Sequence, residues 1–120
     1  MKFLGTGSAL PKKVVSNDDL AQVMDTSDEW IRSRTGIGMR HIAVEETTTS
    51  MAVEAAEKAL ADAKISGCEI DLIIAGTISP DYIFPSLACE VQAAIGAKSA
   101  TAFDLSAGCS GFLFALANSK

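Results

Sequence analysis

The sequence predicts an α/β domain in which a mostly parallel sheet is covered by helices on both faces. Strand-like and helical segments alternate along the chain, the order expected when parallel strands are joined by crossover helices. Residues 70–76 are apolar at nearly every position, as in a strand buried on both faces. Residues 101–120 contain a short strand, a run of small residues with one thiol, and an apolar helix.

The composition of the 120-residue chain fits one small domain and argues against several functions. Its apolar content of 48% is enough for a packed core, and its net charge of −5 with no basic run argues against nucleic-acid binding. Three widely spaced cysteines predict neither disulfides nor a metal site. No signal peptide or membrane-spanning run is evident, so we expect a cytoplasmic protein with no membrane partner.

The beginning of the chain predicts a short strand, a loop and a helix. Residues 2–4 fit a strand, and the Gly-Thr-Gly-Ser sequence of residues 5–8 fits a loop that lacks the pattern of a phosphate-binding loop. Ser16 or Asn17 is expected to cap a helix over residues 18–24.

Residues 26–36 predict a second helix with a candidate ligand-binding face. Thr26 and Glu29 have the spacing of a capping box. Trp30 and Arg34, four residues apart, share one face, where an indole and a guanidinium can hold a planar base and a phosphate. The alternative is a surface cation–π pair, or a core tryptophan beside an unrelated arginine.

The middle of the chain predicts alternating strands and helices. A strand over residues 38–44 contains His41, the single histidine, whose role is expected to be structural. An amphipathic helix over residues 51–64 precedes the apolar strand at 70–76, and an almost wholly apolar, buried helix is expected over residues 87–95.

Cys109 is the candidate nucleophile. It lies between a predicted strand at residues 101–105 and a predicted buried helix at residues 112–117. Free backbone N–H groups and the macrodipole favour negative charge at such a turn, so the thiol is expected to ionise readily and to be reachable. The alternative is a buried cysteine that only fills space. The helix has no end signal before Lys120, so we expect the chain to be the front part of something longer.

Three stretches together resemble the β-ketoacyl-acyl-carrier-protein synthases III, condensing enzymes of the thiolase fold that start type II fatty-acid synthesis. The first is Thr26-Ser-Asp-Glu-Trp-Ile with Arg34-Thr-Gly-Ile. The others are Phe84-Pro-Ser-x-Ala-Cys and Phe103-Asp-Leu-x-Ala-Gly-Cys-Ser-Gly-Phe. The likeness covers residues 1–120 as an N-terminal thiolase-like half-domain of a layered αβαβα fold. Gly108 is a mild departure, since the family more often has alanine there.

The resemblance implies a role for each candidate residue. Cys109 would accept a short acyl group from an acyl-coenzyme A such as acetyl-coenzyme A, and the acyl group would then condense with malonyl-acyl carrier protein with loss of carbon dioxide. Trp30, Arg34 and Thr26 would bind coenzyme A, and Phe84 would close the acyl pocket across a homodimer interface. No metal and no cofactor is implied, because the coenzyme A thioester is a substrate.

The resemblance also leaves alternatives open. The family's catalytic histidine and asparagine belong to its second half, and His41 does not match that histidine. The missing half is then a separate chain, or these residues are an inactive fragment that binds coenzyme A. A related enzyme of the same fold, such as a hydroxymethylglutaryl-coenzyme A synthase or a polyketide or quinolone starter enzyme, is the other alternative.

Overall fold

The structure is a computed structural model that describes residues 2–119. These residues form two compact units: the smaller comprises residues 10–46, and the larger joins residues 2–9 to residues 47–119. Each unit contains one pair of hydrogen-bonded strands. No helix within the described residues is long and apolar enough to cross a bilayer.

The smaller unit contains an antiparallel strand pair and two short helices. Its elements are, in chain order, β1 (Lys13–Ser16), α1 (Asn17–Ala21), α2 (Asp28–Thr35) and β2 (Met39–Ile42). The strands pair with Val14 opposite His41. Helix α1 begins with a capping box, in which Ser16 and Asp19 each accept a hydrogen bond from the other's backbone N–H. Helix α2 ends at Gly36, whose φ of 73° gives it the left-handed conformation that glycine adopts without strain.

The larger unit contains a parallel strand pair packed against helices. Its elements are α3 (Thr48–Ala63), β3 (Leu72–Gly76), α4 (Leu87–Ala94), β4 (Thr101–Leu105) and α5 (Gly111–Asn118). Strands β3 and β4 are parallel, with Gly76 opposite Leu105 at their carboxyl ends. Helix α4 packs against both strands and against α3, and α5 also contacts both strands. The buried apolar residues lie in α4 and just after it: Leu87, Ala88, Val91 and Ala97.

Residues 2–9 pack along helix α3. They form no strand, so the strand predicted at residues 2–4 is wrong. A Cβ atom added to Gly5 would lie 2.5 Å from the amide nitrogen of Ala63, and one added to Gly7 would lie 2.5 Å from that of Ala59. Thr6, between the two glycines, donates its backbone N–H to Asp62 of α3. The two glycines therefore allow close contact between two backbones, which gives this glycine-rich stretch a packing role.

Three predictions for the smaller unit were wrong in detail. Strand β1 lies where no strand was predicted, because two lysines directly precede its two valines. Helix α1 ends at Ala21 instead of residue 24. The predicted capping box of Thr26 is also wrong, since Ser27 is the N-cap of α2 and its side chain accepts the N–H of Trp30 at 3.1 Å.

In the larger unit, the observed bounds of the helices and strands agree better with the predicted ones. Their burial, however, differs from the prediction. Strand β4 has its predicted bounds, and α4 ends one residue early. Helix α3 begins earlier than predicted, at Thr48, because Thr47 forms a capping box with Ser50. Strand β3 is half-buried, since within residues 2–119 it pairs with β4 alone. Helix α5 was expected to be buried, but three of its four largest side chains are more than half exposed: Phe112, Leu113 and Phe114.

Candidate functional site

Cys109 lies at the turn from strand β4 into helix α5. The strand ends at Leu105, and Gly108–Ser110 form a single 3-10 turn before α5 begins at Gly111. Gly108 has a φ of 50°, in the left-handed region that favours glycine. The thiol of Cys109 is exposed. The sequence thus correctly placed this cysteine on a strand-to-helix turn.

Among the described residues, the hydrogen bonds at this turn do not use the N–H of Cys109. Ser110 donates its N–H to the carbonyl oxygen of Ala107, and Gly111 donates to that of Gly108. Within residues 2–119, no acceptor is hydrogen-bonded to the N–H of Cys109. The first amides of a helical segment have no acceptor in the preceding turn, and they attract negative charge. The exposed sulfur of Cys109 and its own backbone N–H, which has no acceptor among the described residues, therefore lie side by side.

The turn is fixed to the carboxyl ends of both parallel strands. Thr77, which follows β3, donates its N–H to the carbonyl oxygen of Leu105 at 3.2 Å. A Cβ added to Gly76 would lie 3.3 Å from the carbonyl carbon of Gly111, so the end of β3 lies directly against the start of α5. The carboxyl edge of an open parallel sheet is where α/β folds commonly bind ligands. Cys109 therefore lies at the edge where a substrate site is expected.

The other two cysteines have different surroundings. Cys89, in α4, is half-buried, and its sulfur lies 3.8 Å from the carbonyl oxygen of Ala102. Cys68 is exposed on a 3-10 turn, and its thiol lies 3.3 Å from the hydroxyl of Ser66. Neither cysteine precedes a helix that starts at the sheet edge. Among the described residues, no cluster of side chains has the composition of a metal site.

Trp30 and Arg34 form a surface cation–π pair, as the alternative interpretation of their spacing predicted. The guanidinium carbon of Arg34 lies 4.5 Å from the centre of the indole ring, and Trp30 is 53% exposed. No carboxylate of the described residues pairs with Arg34, so its charge is available to a ligand. Thr26 is half-buried just before α2 and, with Asp25 and Ser27, lines a recess of about 320 Å³ beside the indole. These three candidate residues therefore belong to one surface of the smaller unit.

A buried side-chain amide, which the sequence did not single out as functional, is hydrogen-bonded to helix α2 and to the segment that follows it. Asn17 is 1% exposed, and its side-chain nitrogen donates to Asp28 at 2.7 Å and to the carbonyl oxygen of Ile37 at 2.8 Å. Its oxygen accepts a hydrogen bond of 2.6 Å from Arg40. The hydrogen bond from Asn17 is the main cause that lowers the pKa of Asp28, and Arg32 lowers it further. The only sequence signal was an asparagine next to a helix cap.

Phe84 lies in an exposed loop, and His41 lies in a strand. Phe84 is 89% exposed in the loop before α4, next to Ile83, which is fully exposed. His41 lies in β2 with its Nδ1 atom 2.6 Å from the carbonyl oxygen of Pro11, a contact that joins two backbone segments. The pocket role of Phe84 stays a prediction, and the contact of His41 agrees with a structural role.

The chain is similar over nearly all of its length to curated β-ketoacyl-acyl-carrier-protein synthases III. It is 60% identical to the protein of Streptococcus suis over 111 residues, which are 92% of this chain and 34% of the relative. It is 58% identical to synthase III 1 of Bacillus anthracis over 115 residues, 95% of this chain and 37% of the relative. No protein-family model matches the chain.

Solved structures show the same likeness. The 3-oxoacyl-acyl-carrier-protein synthase III of Aquifex aeolicus superposes with a TM-score of 0.95 at 55% identity, over 98% of this chain and 38% of that one. The priming β-ketosynthase of the R1128 polyketide pathway superposes with a TM-score of 0.93 at 40% identity, over 98% of this chain and 35% of that one.

The fold is therefore the α/β fold of the thiolase-like enzymes, in the form of an N-terminal half, as the sequence predicted. The turn that carries Cys109 lies at the sheet edge of that fold. By sequence, the predicted resemblance to the β-ketoacyl-acyl-carrier-protein synthases III is confirmed. It spans about a third of the length of the curated relatives it matches, 34% to 37% of each.

Proposed function

We propose that this chain provides the acyl-accepting part of a β-ketoacyl-acyl-carrier-protein synthase III, with Cys109 as the nucleophile. The thiolate attacks the carbonyl carbon of a short acyl-coenzyme A. The bond from that carbon to the coenzyme A sulfur breaks, and coenzyme A leaves as its thiol with one proton. The acyl group, held as a thioester on Cys109, then condenses with malonyl-acyl carrier protein. Its carbonyl carbon bonds to the malonyl α-carbon as the bond from that α-carbon to the carboxylate breaks and carbon dioxide leaves, and the bond to sulfur breaks and restores the Cys109 thiolate.

The single observation that carries the proposal is the exposed thiol of Cys109 beside its own unpaired N–H. The tetrahedral intermediate of acyl transfer places negative charge on the former carbonyl oxygen. A fixed backbone donor aimed at such an oxygen stabilises the transition state by about 3 kcal/mol. Small neighbours, Gly108 and Gly111 among them, leave room for a thioester to approach.

The stacked pair in the smaller unit supports a coenzyme A substrate. We assign the indole of Trp30 and the guanidinium of Arg34 to the adenine end of coenzyme A, with Thr26 beside them. A flat aromatic surface suits the base, and an unpaired cation suits a phosphate. We assign exposed Phe84 to the acyl pocket of a homodimer and place the reaction in the cytoplasm, with no resident cofactor.

Labelling tests the central step. Incubation of the protein with radiolabelled acetyl-coenzyme A should give one labelled site, and peptide mapping should place it at Cys109. The Cys109→Ser variant should lose the label, while Cys68→Ser and Cys89→Ser should keep it. Equal labelling of Cys109→Ser and the unsubstituted protein would rule out the proposal.

A second candidate is a priming enzyme of polyketide synthesis with the same acyl-transfer chemistry. The likeness to the R1128 priming β-ketosynthase, at 40% identity, favours it as the alternative. Labelling with a series of acyl-coenzyme A thioesters separates the two, because we expect acetyl to be the preferred group for the first function. A preference for a longer or branched starter would favour the second.

A further inference from the structure

Helix α2 carries the Trp30–Arg34 pair without being anchored in a core. None of its residues is buried. It has eight residues, fewer than an isolated helix needs to be stable in water. Ile31 is its one half-buried apolar side chain, and packing of α2 is limited to contacts such as those with α1. Polar contacts from outside the helix therefore help to fix its orientation.

Asn17 provides such contacts to both ends of α2. One nitrogen atom, its Nδ2, donates to the carboxylate of Asp28 and to the carbonyl oxygen of Ile37. Asp28 is the first residue of α2, and Ile37 follows Gly36, the residue that ends it. A single amide group thereby joins the start of the helix to the backbone just beyond its end.

The side-chain oxygen and the backbone N–H of Asn17 are hydrogen-bonded as well, which restricts movement of this residue. Its Oδ1 atom accepts from Arg40 of β2, and the backbone N–H of Asn17 donates to the carbonyl oxygen of Gly38 at 3.1 Å. Burial makes each of these hydrogen bonds expensive to lose. A buried polar group whose donors and acceptors are all hydrogen-bonded favours one arrangement of the segments around it.

We propose that Asn17 is a positioning residue for coenzyme A, acting through helix α2 on the Trp30–Arg34 pair. The inference rests on the proposed role of that pair in binding the adenine end. Loss of the two donated hydrogen bonds frees both ends of α2 and disturbs the 4.5 Å stacking of guanidinium on indole. Affinity for coenzyme A then falls, while the turn that carries Cys109, in the other unit, keeps its geometry.

Fluorescence of Trp30 reports on this surface directly, because the chain has one tryptophan. The probe is coenzyme A, titrated while emission is recorded. Asn17→Asp keeps the shape of the side chain but turns the donating nitrogen into an oxygen that faces Asp28 and the carbonyl of Ile37. We expect Kd to rise at least tenfold.

Partner exchange distinguishes this role from a general loss of structure. Asp28→Asn keeps an oxygen that can accept from Asn17, so its Kd should stay within about threefold of the unsubstituted protein. In the double variant Asn17→Asp/Asp28→Asn, the amide at position 28 can donate to the carboxylate at position 17. Its affinity should recover part of the loss of Asn17→Asp.

A stability-matched control completes the test. Ser16→Ala removes the N-cap of α1 and lowers the urea midpoint without touching α2, so its Kd should not change. Equal Kd values for Asn17→Asp and the unsubstituted protein, or an equal rise in Ser16→Ala, would overturn the role of Asn17. If the unsubstituted protein shows no saturable response to coenzyme A, the assignment of Trp30 and Arg34 fails, and the inference fails with it.

Discussion

The carboxylate of Asp104, in strand β4, accepts a hydrogen bond of 2.8 Å from the backbone N–H of Ala88 in the first turn of helix α4. Its other oxygen accepts one of 2.9 Å from the N–H of Leu87. These amides have no acceptor within the helix, and the helix dipole favours a negative charge beside them. These two hydrogen bonds join strand β4, which leads to Cys109, to helix α4.

Replacement of Asp104 should destabilise the larger unit. Leu87 and Ala88 are 5% and 0% exposed, so Asp104→Ala leaves two buried amides without acceptors. We expect the free energy of unfolding to fall by about 2 kcal/mol, measured by urea denaturation. Asp104→Asn keeps one acceptor and should lose about half as much. Asp71→Ala is the control, since Asp71 is exposed and should show little change; an equal loss there would contradict the capping role.

The left-handed conformation of Gly108 predicts a backbone cost for any side chain. Space is not the reason, because a Cβ atom at Gly108 would meet nothing within 4 Å. We expect Gly108→Ala to lower the free energy of unfolding by about 1 kcal/mol. Gly111→Ala is the matched control: Gly111 has a φ of −52°, and its added Cβ would lie 3.5 Å from Gly76, an ordinary contact. Equal stability of the two variants would show that the turn does not need the left-handed conformation.

Close packing at Gly7 predicts a larger effect. A Cβ atom there would collide with the carbonyl oxygen of Ala55 and lie 2.5 Å from the amide nitrogen of Ala59, and backbone atoms of a helix cannot move aside cheaply. Gly7→Ala should therefore destabilise the larger unit by about 3 kcal/mol. The neighbouring variant Thr6→Ala keeps the backbone bond to Asp62 and should be nearly neutral in the same urea experiment.

Features with a local cause could be predicted from the sequence. Gly36 ends helix α2 because glycine tolerates the left-handed conformation, and strand β4 has its predicted bounds because apolar and turn residues mark both ends. The stacking of Arg34 on Trp30 follows from their i,i+4 spacing on one helix. Each of these depends on residues within a few positions of one another.

Features whose causes lie far apart along the chain could not be predicted. The partners of Asn17 lie 11 to 23 residues away, so neither its burial nor its bonds appear in the local pattern. Gly5 and Gly7 look like part of a turn until α3, which begins more than 40 residues later, is placed against them. Apolar residues in α5 indicated a buried helix, but burial depends on what covers a surface, and Phe112 is 67% exposed here.

Glu46 predicts a pH dependence for the smaller unit. Its carboxylate accepts the backbone N–H of Lys12 at 3.0 Å and that of Val44 at 3.2 Å. The hydrogen bond from Lys12 is the largest cause, followed by those from the N–H groups of Glu46 itself and of Val44, and together they lower the pKa of Glu46 from 4.5 to about 2. The ionised form is therefore favoured in the folded protein.

The sign of the effect follows from the direction of this shift. Because the folded pKa lies below the unfolded one, the contribution of Glu46 to stability is complete above about pH 4.5 and is lost as the pH falls towards 2. Glu46→Gln should be less stable than the unsubstituted protein at pH 6, and the difference should shrink as the pH approaches 2. Urea denaturation of both proteins at several pH values measures this difference in the free energy of unfolding. Asp19, Asp28 and Asp81 also have lowered pKa values, but their contributions are the same in both proteins and cancel in the difference. Glu45→Gln is the matched control, because within residues 2–119 the side chain of Glu45 accepts no hydrogen bond, and it should be as stable as the unsubstituted protein at pH 6. A gap between Glu46→Gln and the unsubstituted protein that stays constant from pH 6 to pH 2 would contradict the assignment.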